Sequence, residues 1–124
     1  MVLNESTEMY LEAIYVLHQK KSSVRSIDVA EYLGFSKASV SRAVGLLKNS
    51  GYILVEANGA LLLTPLGEET SSKIYERHIV LTEVLKALGV DEEVAAENAC
   101  RIEHVITDEA FYAIKSHYEK MSQK

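Results

Sequence analysis

The sequence predicts a mainly α-helical chain: a helix-turn-helix with a β-hairpin wing over residues 1–70, then an all-helical segment over residues 71–124. Three observations carry that expectation. Apolar residues recur at helical spacing along most of the chain. The main interruption, Tyr52 to Leu63, consists of two apolar, β-prone runs flanking Asn58-Gly59. The charge also changes character near Thr64.

Each element has its own local signal. From Asn4 to about Lys20 the residues Leu11, Ile14, Tyr15 and Leu17 follow helical spacing, and Glu5 and Glu8 suit the positive end of a helix. Ser26 is the expected cap of a short second helix bearing Ile27, Ala30 and Leu33, which Gly34 ends. Ser36 caps a third helix with a stripe of Val40, Ala43, Val44 and Leu47, and Gly51 stops it. Strands are expected at Tyr52–Val55 and Ala60–Leu63, with Asn58-Gly59 supplying residues that tolerate positive φ. Thr64-Pro65 opens a long helix running to about Leu88. Asp91 caps another, and a last one begins after Thr107.

Composition excludes several classes. With 48% hydrophobic and 25% charged residues the chain is ordinary globular material, and it has no apolar run long enough to span a bilayer. No basic stretch precedes an apolar segment at Met1-Val2-Leu3-Asn4, so a cytoplasmic protein without a targeting leader is expected. A single cysteine, Cys100, forms no internal disulfide. The net charge of −5 argues at first against nucleic acid. Its distribution reverses that reading, because residues 1–64 hold six cations and six anions while residues 65–124 hold seven and twelve. Phe35 to Val55 carries three cations and no anion.

Two groups of residues are candidates for function. The third helix presents Ser36, Lys37, Ser39, Ser41 and Arg42 opposite its apolar stripe, short hydroxyls and cations that suit phosphates and base edges in a major groove. Arg42 is the best base reader, and the alternative is a solvated face of a helical bundle. The second group is Cys100, Glu103 and His104, whose i, i+3, i+4 spacing puts thiolate, carboxylate and imidazole on one helical face, as ligands of one ion require. A buried free cysteine beside a surface Glu-His pair is the plain alternative. A Cys-His nucleophile is disfavoured because no loop supplies an oxyanion site or an orienting group.

Three motifs in order resemble one family: Ser6-Thr7-Glu8-Met9-Tyr10-Leu11, Leu63-Thr64-Pro65-Leu66-Gly67 and Ala99-Cys100-Arg101-Ile102-Glu103-His104-Val105. Together, over about Thr7 to Tyr118, they resemble the diphtheria toxin repressor family of metal-dependent transcriptional repressors, whose relatives include the manganese transport regulators. The resemblance implies that the helical second half is a dimerisation and metal-binding domain. In the iron-responsive branch a Met of the first helix joins Cys, Glu and His, which maps onto Met9, Cys100, Glu103 and His104. The manganese branch has carboxylates at the first two of these positions. Thioether and thiolate favour softer ions, so Fe(II) is favoured, with Mn(II) possible as the divalent metal cofactor.

A second, ancillary site of the family maps onto His78. Thr82 stands where the family has a carboxylate and Ala96 where it has a histidine, and Glu83 lies about 140° away around the helix. Glu12, which matches a manganese-branch ligand, and Glu97 are the carboxylates left to assist His78. His18 and His117 match no ligand position and are expected at a surface or interface. Long family members carry a third, small β-barrel domain that adds ligands to the ancillary site, and no such segment follows in these 124 residues, so the main site carries most weight.

The expected protein is a homodimer that binds a palindromic double-stranded DNA operator when metal-loaded and represses metal-uptake genes. It is not an enzyme, and neither a membrane nor a small organic substrate is an expected partner. A metal-independent winged-helix regulator, a small metalloenzyme and a protein-interaction module are the alternatives.

Overall fold

A computed structural model describes residues 4–122. Asn4 opens the first helix: its Oδ1 accepts hydrogen bonds from the Thr7 amide at 2.8 Å and the Thr7 hydroxyl at 2.7 Å. These partners satisfy an amide that a helix start leaves without one. The elements then run α1 (Glu5–His18), α2 (Ser26–Leu33), α3 (Lys37–Asn49), β1 (Ile53–Val55), β2 (Leu61–Leu63), α4 (Pro65–Ala87), α5 (Glu92–Ile102) and α6 (Asp108–Ser122). The mainly helical fold class with a two-stranded wing is borne out. By contacts the chain divides into two compact units, Met1–Lys73 and Ile74–Lys124, with the division inside α4.

The first unit is built on the buried stripe of α1. Leu11, Ile14 and Leu17 pack with Val29, Ala30, Val40, Leu47, Ile53 and Leu61 in one apolar core. Each fully buried aliphatic side chain contributes about 1.5–3 kcal/mol. The α2–α3 corner is made by Gly34 at φ 72°, whose amide returns to the Ala30 carbonyl at 2.9 Å. Strands β1 and β2 pair antiparallel, with Ile53 opposite Leu63 and Val55 opposite Leu61. The Leu61 amide also donates to the Val24 carbonyl at 2.7 Å, and Nε2 of His18 donates to the Leu61 carbonyl at 2.7 Å. His18 therefore secures the wing to α1 instead of standing on a surface.

Two local expectations are corrected. Ser26 is the first residue of α2, and the cap position is Arg25, whose amide donates to Asp28 Oδ2 at 2.8 Å. In the wing only Gly59 adopts positive φ, at 89°. Asn58 contributes a side-chain bond instead, its Oδ1 accepting the Ala60 amide at 3.0 Å. The Gly59 amide closes the turn on the Glu56 carbonyl at 2.8 Å, so the loop is a turn ending in one left-handed glycine.

The second unit consists of α4 from Ile74, α5 and α6. Asp91 caps α5 through the Glu93 amide at 3.2 Å, and Thr107 caps α6 through the Ala110 amide at 3.2 Å. Ile74, Leu81, Ala95, Ala99 and Phe111 are buried, together with one charged residue, Glu103. Ion pairing of Lys115 with Glu76, at 2.9 Å, ties α6 to α4. Among the described residues no helix is long and apolar enough to cross a membrane.

Candidate functional site

Helix α5 ends at Ile102, so Glu103 is its C-cap and His104 lies in the turn beyond. This corrects the expectation that Cys100, Glu103 and His104 share one helical face. Glu103 keeps helical dihedrals, φ −58° and ψ −26°, and its amide still reaches the Ala99 carbonyl at 2.9 Å. The chain then tightens, with the Val105 and Ile106 amides both returning to the Ile102 carbonyl. That turn carries His104 beside the preceding carboxylate.

Glu103 is fully buried and its two oxygens face two imidazoles. Oε2 lies 3.0 Å from His78 Nδ1, and Oε1 lies 3.1 Å from His104 Nε2. The His104 side chain is 3% exposed and that of His78 26%. Thus His78, expected at a separate ancillary site with Glu12 or Glu97, shares Glu103 with His104. Glu97 is exposed and pairs with Arg101 at 3.6 Å. Thr82 donates its hydroxyl to the His78 carbonyl at 2.7 Å. Cys100 lies half-buried on α5, three residues before Glu103. In the first unit Met9 and Glu12 are half-buried and three residues apart on α1, hence on one side of it.

The donor chemistry of this group fits a divalent cation. A carboxylate taken out of water is costly unless positive charge or several donors compensate it. Imidazole nitrogens with carboxylate oxygen form a donor set suited to first-row divalent metals, which bind the ionised acid and neutral imidazoles. Glu103, His104 and His78 would hold the ion in this unit, and it would supply the positive charge the buried carboxylate calls for.

In the first unit the exposed face of α3 carries Lys37, Ser41 and Arg42. Ser36 is committed to capping: its Oγ accepts the Ser39 amide at 3.1 Å and donates to Ser39 Oγ at 3.0 Å. Ser39 is half-buried. A groove of about 320 Å³ beside Arg42 is lined by Asn4, Ser6, Ser39 and Leu46 among others. Lys37 and Arg42 thus keep free reach, whereas Ser36 and Ser39 are partly spent on local structure.

Sequence reasoning missed Arg77. Its guanidinium meets the turn that carries Glu103 and His104, and the only signal in the sequence was a cation adjoining His78 within an acidic half.

Comparison with known proteins agrees with this division of labour. Residues 2–61 match the iron dependent repressor N-terminal DNA binding domain, and residues 64–124 match the iron dependent repressor metal binding and dimerisation domain. An uncharacterised helix-turn-helix transcriptional regulator of Methanocaldococcus jannaschii is 31% identical, covering 98% of this chain and 99% of its own. The helix-turn-helix transcriptional regulator MntR of Lysinibacillus sphaericus is 37% identical over 80% of this chain and 71% of its own. The fold is also that of the manganese regulator SloR, with TM-score 0.79 and 24% identity over 96% of this chain and 55% of that one. With both halves matched in order, the chain belongs to the diphtheria toxin repressor family of metal-dependent transcriptional repressors, which are regulators and not enzymes.

Proposed function

We propose that this protein represses transcription in the cytoplasm as a homodimer that binds a palindromic operator when loaded with Fe(II), and so controls metal uptake. The observation that carries this reading is Glu103, buried with an imidazole 3.0–3.1 Å from each oxygen. His78, Glu103 and His104 are its ligands in the second unit, and Met9, Glu12 and Cys100 complete the candidate set. The metal acts by binding one state of the protein more tightly than another. To raise the DNA-competent population from about 1% to about 99%, the ion must prefer that state roughly 10⁴-fold. On the DNA side the residues are Lys37, Ser41 and Arg42, with Ser36 and Ser39 holding the start of the helix.

The dimer reading is supported by an apolar groove of about 270 Å³ in the second unit, between Val84, Leu88, Ile114 and Met121. Leu88 is 74% exposed in one chain, a large apolar surface for a second copy to cover. Mn(II) is the second reading, favoured by the nitrogen and oxygen donors around Glu103, whereas the Met9 thioether and Cys100 thiol favour Fe(II).

Operator binding measured at one ionic strength and controlled free Fe(II) or Mn(II) tests both. Binding should fall by at least tenfold in chelator, and H104A should abolish the metal response while remaining folded. Equal binding with and without metal would sink the switch. Tighter binding with Mn(II) than with Fe(II) at equal free concentration would select the second reading.

A further inference from the structure

We propose that Arg77 is a positioning residue of the metal centre: it fixes the turn bearing Glu103 and His104 against α4, so the ligands are set before a cation arrives. This rests on the metal reading of Glu103 and His104. The guanidinium meets three acceptors on that turn and the start of α6. Its Nη1 donates to the Ile106 carbonyl at 2.9 Å and, longer, to the Glu103 carbonyl at 3.4 Å, and Nη2 pairs with the Asp108 carboxylate. Its plane lies near the buried Phe111 ring, 5.6 Å from the centroid. The Arg77 side chain is 20% exposed, so its two carbonyl contacts are partly sheltered, whereas the Asp108 carboxylate is 75% exposed.

Elementary helix chemistry explains the need. The carbonyls at the end of a helix have no partners within it, and α5 ends at Ile102, immediately before the first ligand. Apart from Arg77, that turn is closed by the Val105 and Ile106 amides on the Ile102 carbonyl, at 3.0 and 2.9 Å. Arg77 and His78 are consecutive on α4 and hold Glu103 at both ends, the guanidinium on its carbonyl and the imidazole on its carboxylate. A planar fork can serve several acceptors in fixed directions, which a lysine ammonium on its flexible stem cannot. Groups that orient ligands in this way typically change metal affinity 10–100-fold when removed.

The test uses the full chain with Co(II) as probe, read by calorimetry, by its visible absorption and by hydrogen exchange of the metal-free protein. R77A should bind Co(II) 10–100-fold more weakly at unchanged stoichiometry, with faster exchange confined to the 103–107 amides. R77K should recover no more than a few-fold of the loss. H104A, lacking a ligand, should instead lose saturable binding or change the absorption spectrum. If H104A loses Co(II) while R77A keeps wild-type affinity, the positioning role is overturned and the metal centre stands. If H104A binds as wild type, the metal reading fails and the role of Arg77 falls with it. An affinity loss in R77A matched by faster exchange throughout the chain would show general destabilisation and also overturn the proposal. Should R77A not fold, R77Q carries the test: at least threefold weaker binding is expected, and wild-type affinity refutes it.

Discussion

Asp28 shows how much one side chain contributes to the short second helix. Its Oδ1 takes the Lys21 ammonium at 2.6 Å and its Oδ2 the Arg25 amide at 2.8 Å. The Lys21 hydrogen bond first, and then the Arg25 amide, hold its carboxyl below the ordinary carboxylate range. A depressed folded-state pKa gives stability that is present above the ordinary value of about 4 and is lost as pH falls through the lowered value. Asp28→Asn keeps an oxygen for the Arg25 amide but loses the ion pair. The variant should therefore be less stable than wild type at about pH 6 by no more than roughly 1 kcal/mol, and equal to it well below the depressed value. Urea unfolding at both pH values measures this, and a penalty unchanged by acid would assign the effect to shape instead of charge. Lys115 behaves in the opposite sense: the hydrogen bond it donates to Glu76 raises its pKa, so its contribution is lost as pH rises through that raised value.

At the scale of elements, the junction between wing and long helix depends on Gly67. A Cβ there would stand 1.9 Å from the Tyr52 carbonyl oxygen, which is backbone and cannot swing aside. Alanine would gain about 1 kcal/mol in helix propensity. The clash outweighs it, so Gly67→Ala should destabilise the first unit by about 2–3 kcal/mol net, in the upper range of overpacking costs. Denaturant unfolding at unchanged m checks this, and a stabilised variant would mean that the contact yields cheaply. The junction was legible in the sequence as Thr64-Pro65 but the need for glycine was not, because the Tyr52 carbonyl comes from fifteen residues earlier. Caps at Ser36 and Asp91 were readable for the converse reason: each acts within three residues of itself. The site divides the same way. Spacing marked Cys100, Glu103 and His104 as candidates, whereas the end of α5 at Ile102, which takes His104 off the helix, and the pairing of His78 with Glu103 depend on packing between helices distant in sequence.

On the scale of the whole chain, charge has been sorted between the halves, and that sorting limits how DNA can be met. Residues 65–124 hold twelve acidic residues against seven basic ones, so attraction to phosphate must come from the first 64, which are neutral overall. Of these cations Lys21 is held by Asp28 at 2.6 Å and Lys20 lies over the Tyr32 ring, whereas Lys37 and Arg42 are exposed on α3. The wing from Ile53 to Leu63 carries no lysine or arginine, so it adds no phosphate neutralisation. A dimer presenting two copies of α3 should then show a salt dependence dominated by that helix. Each neutralised phosphate contributes about 0.9 to the slope of log affinity against log salt, so Lys37→Ala should lower the slope by roughly two for the dimer while affecting all sequences alike. Arg42→Ala should relax sequence preference at the contacted base by about 1–3 kcal/mol as well. Operator and random duplexes titrated across salt at fixed free metal distinguish these effects. If Lys37→Ala leaves the slope unchanged, the phosphate contacts lie elsewhere on the first unit, with the exposed Arg25 and Lys48 the next cations to test.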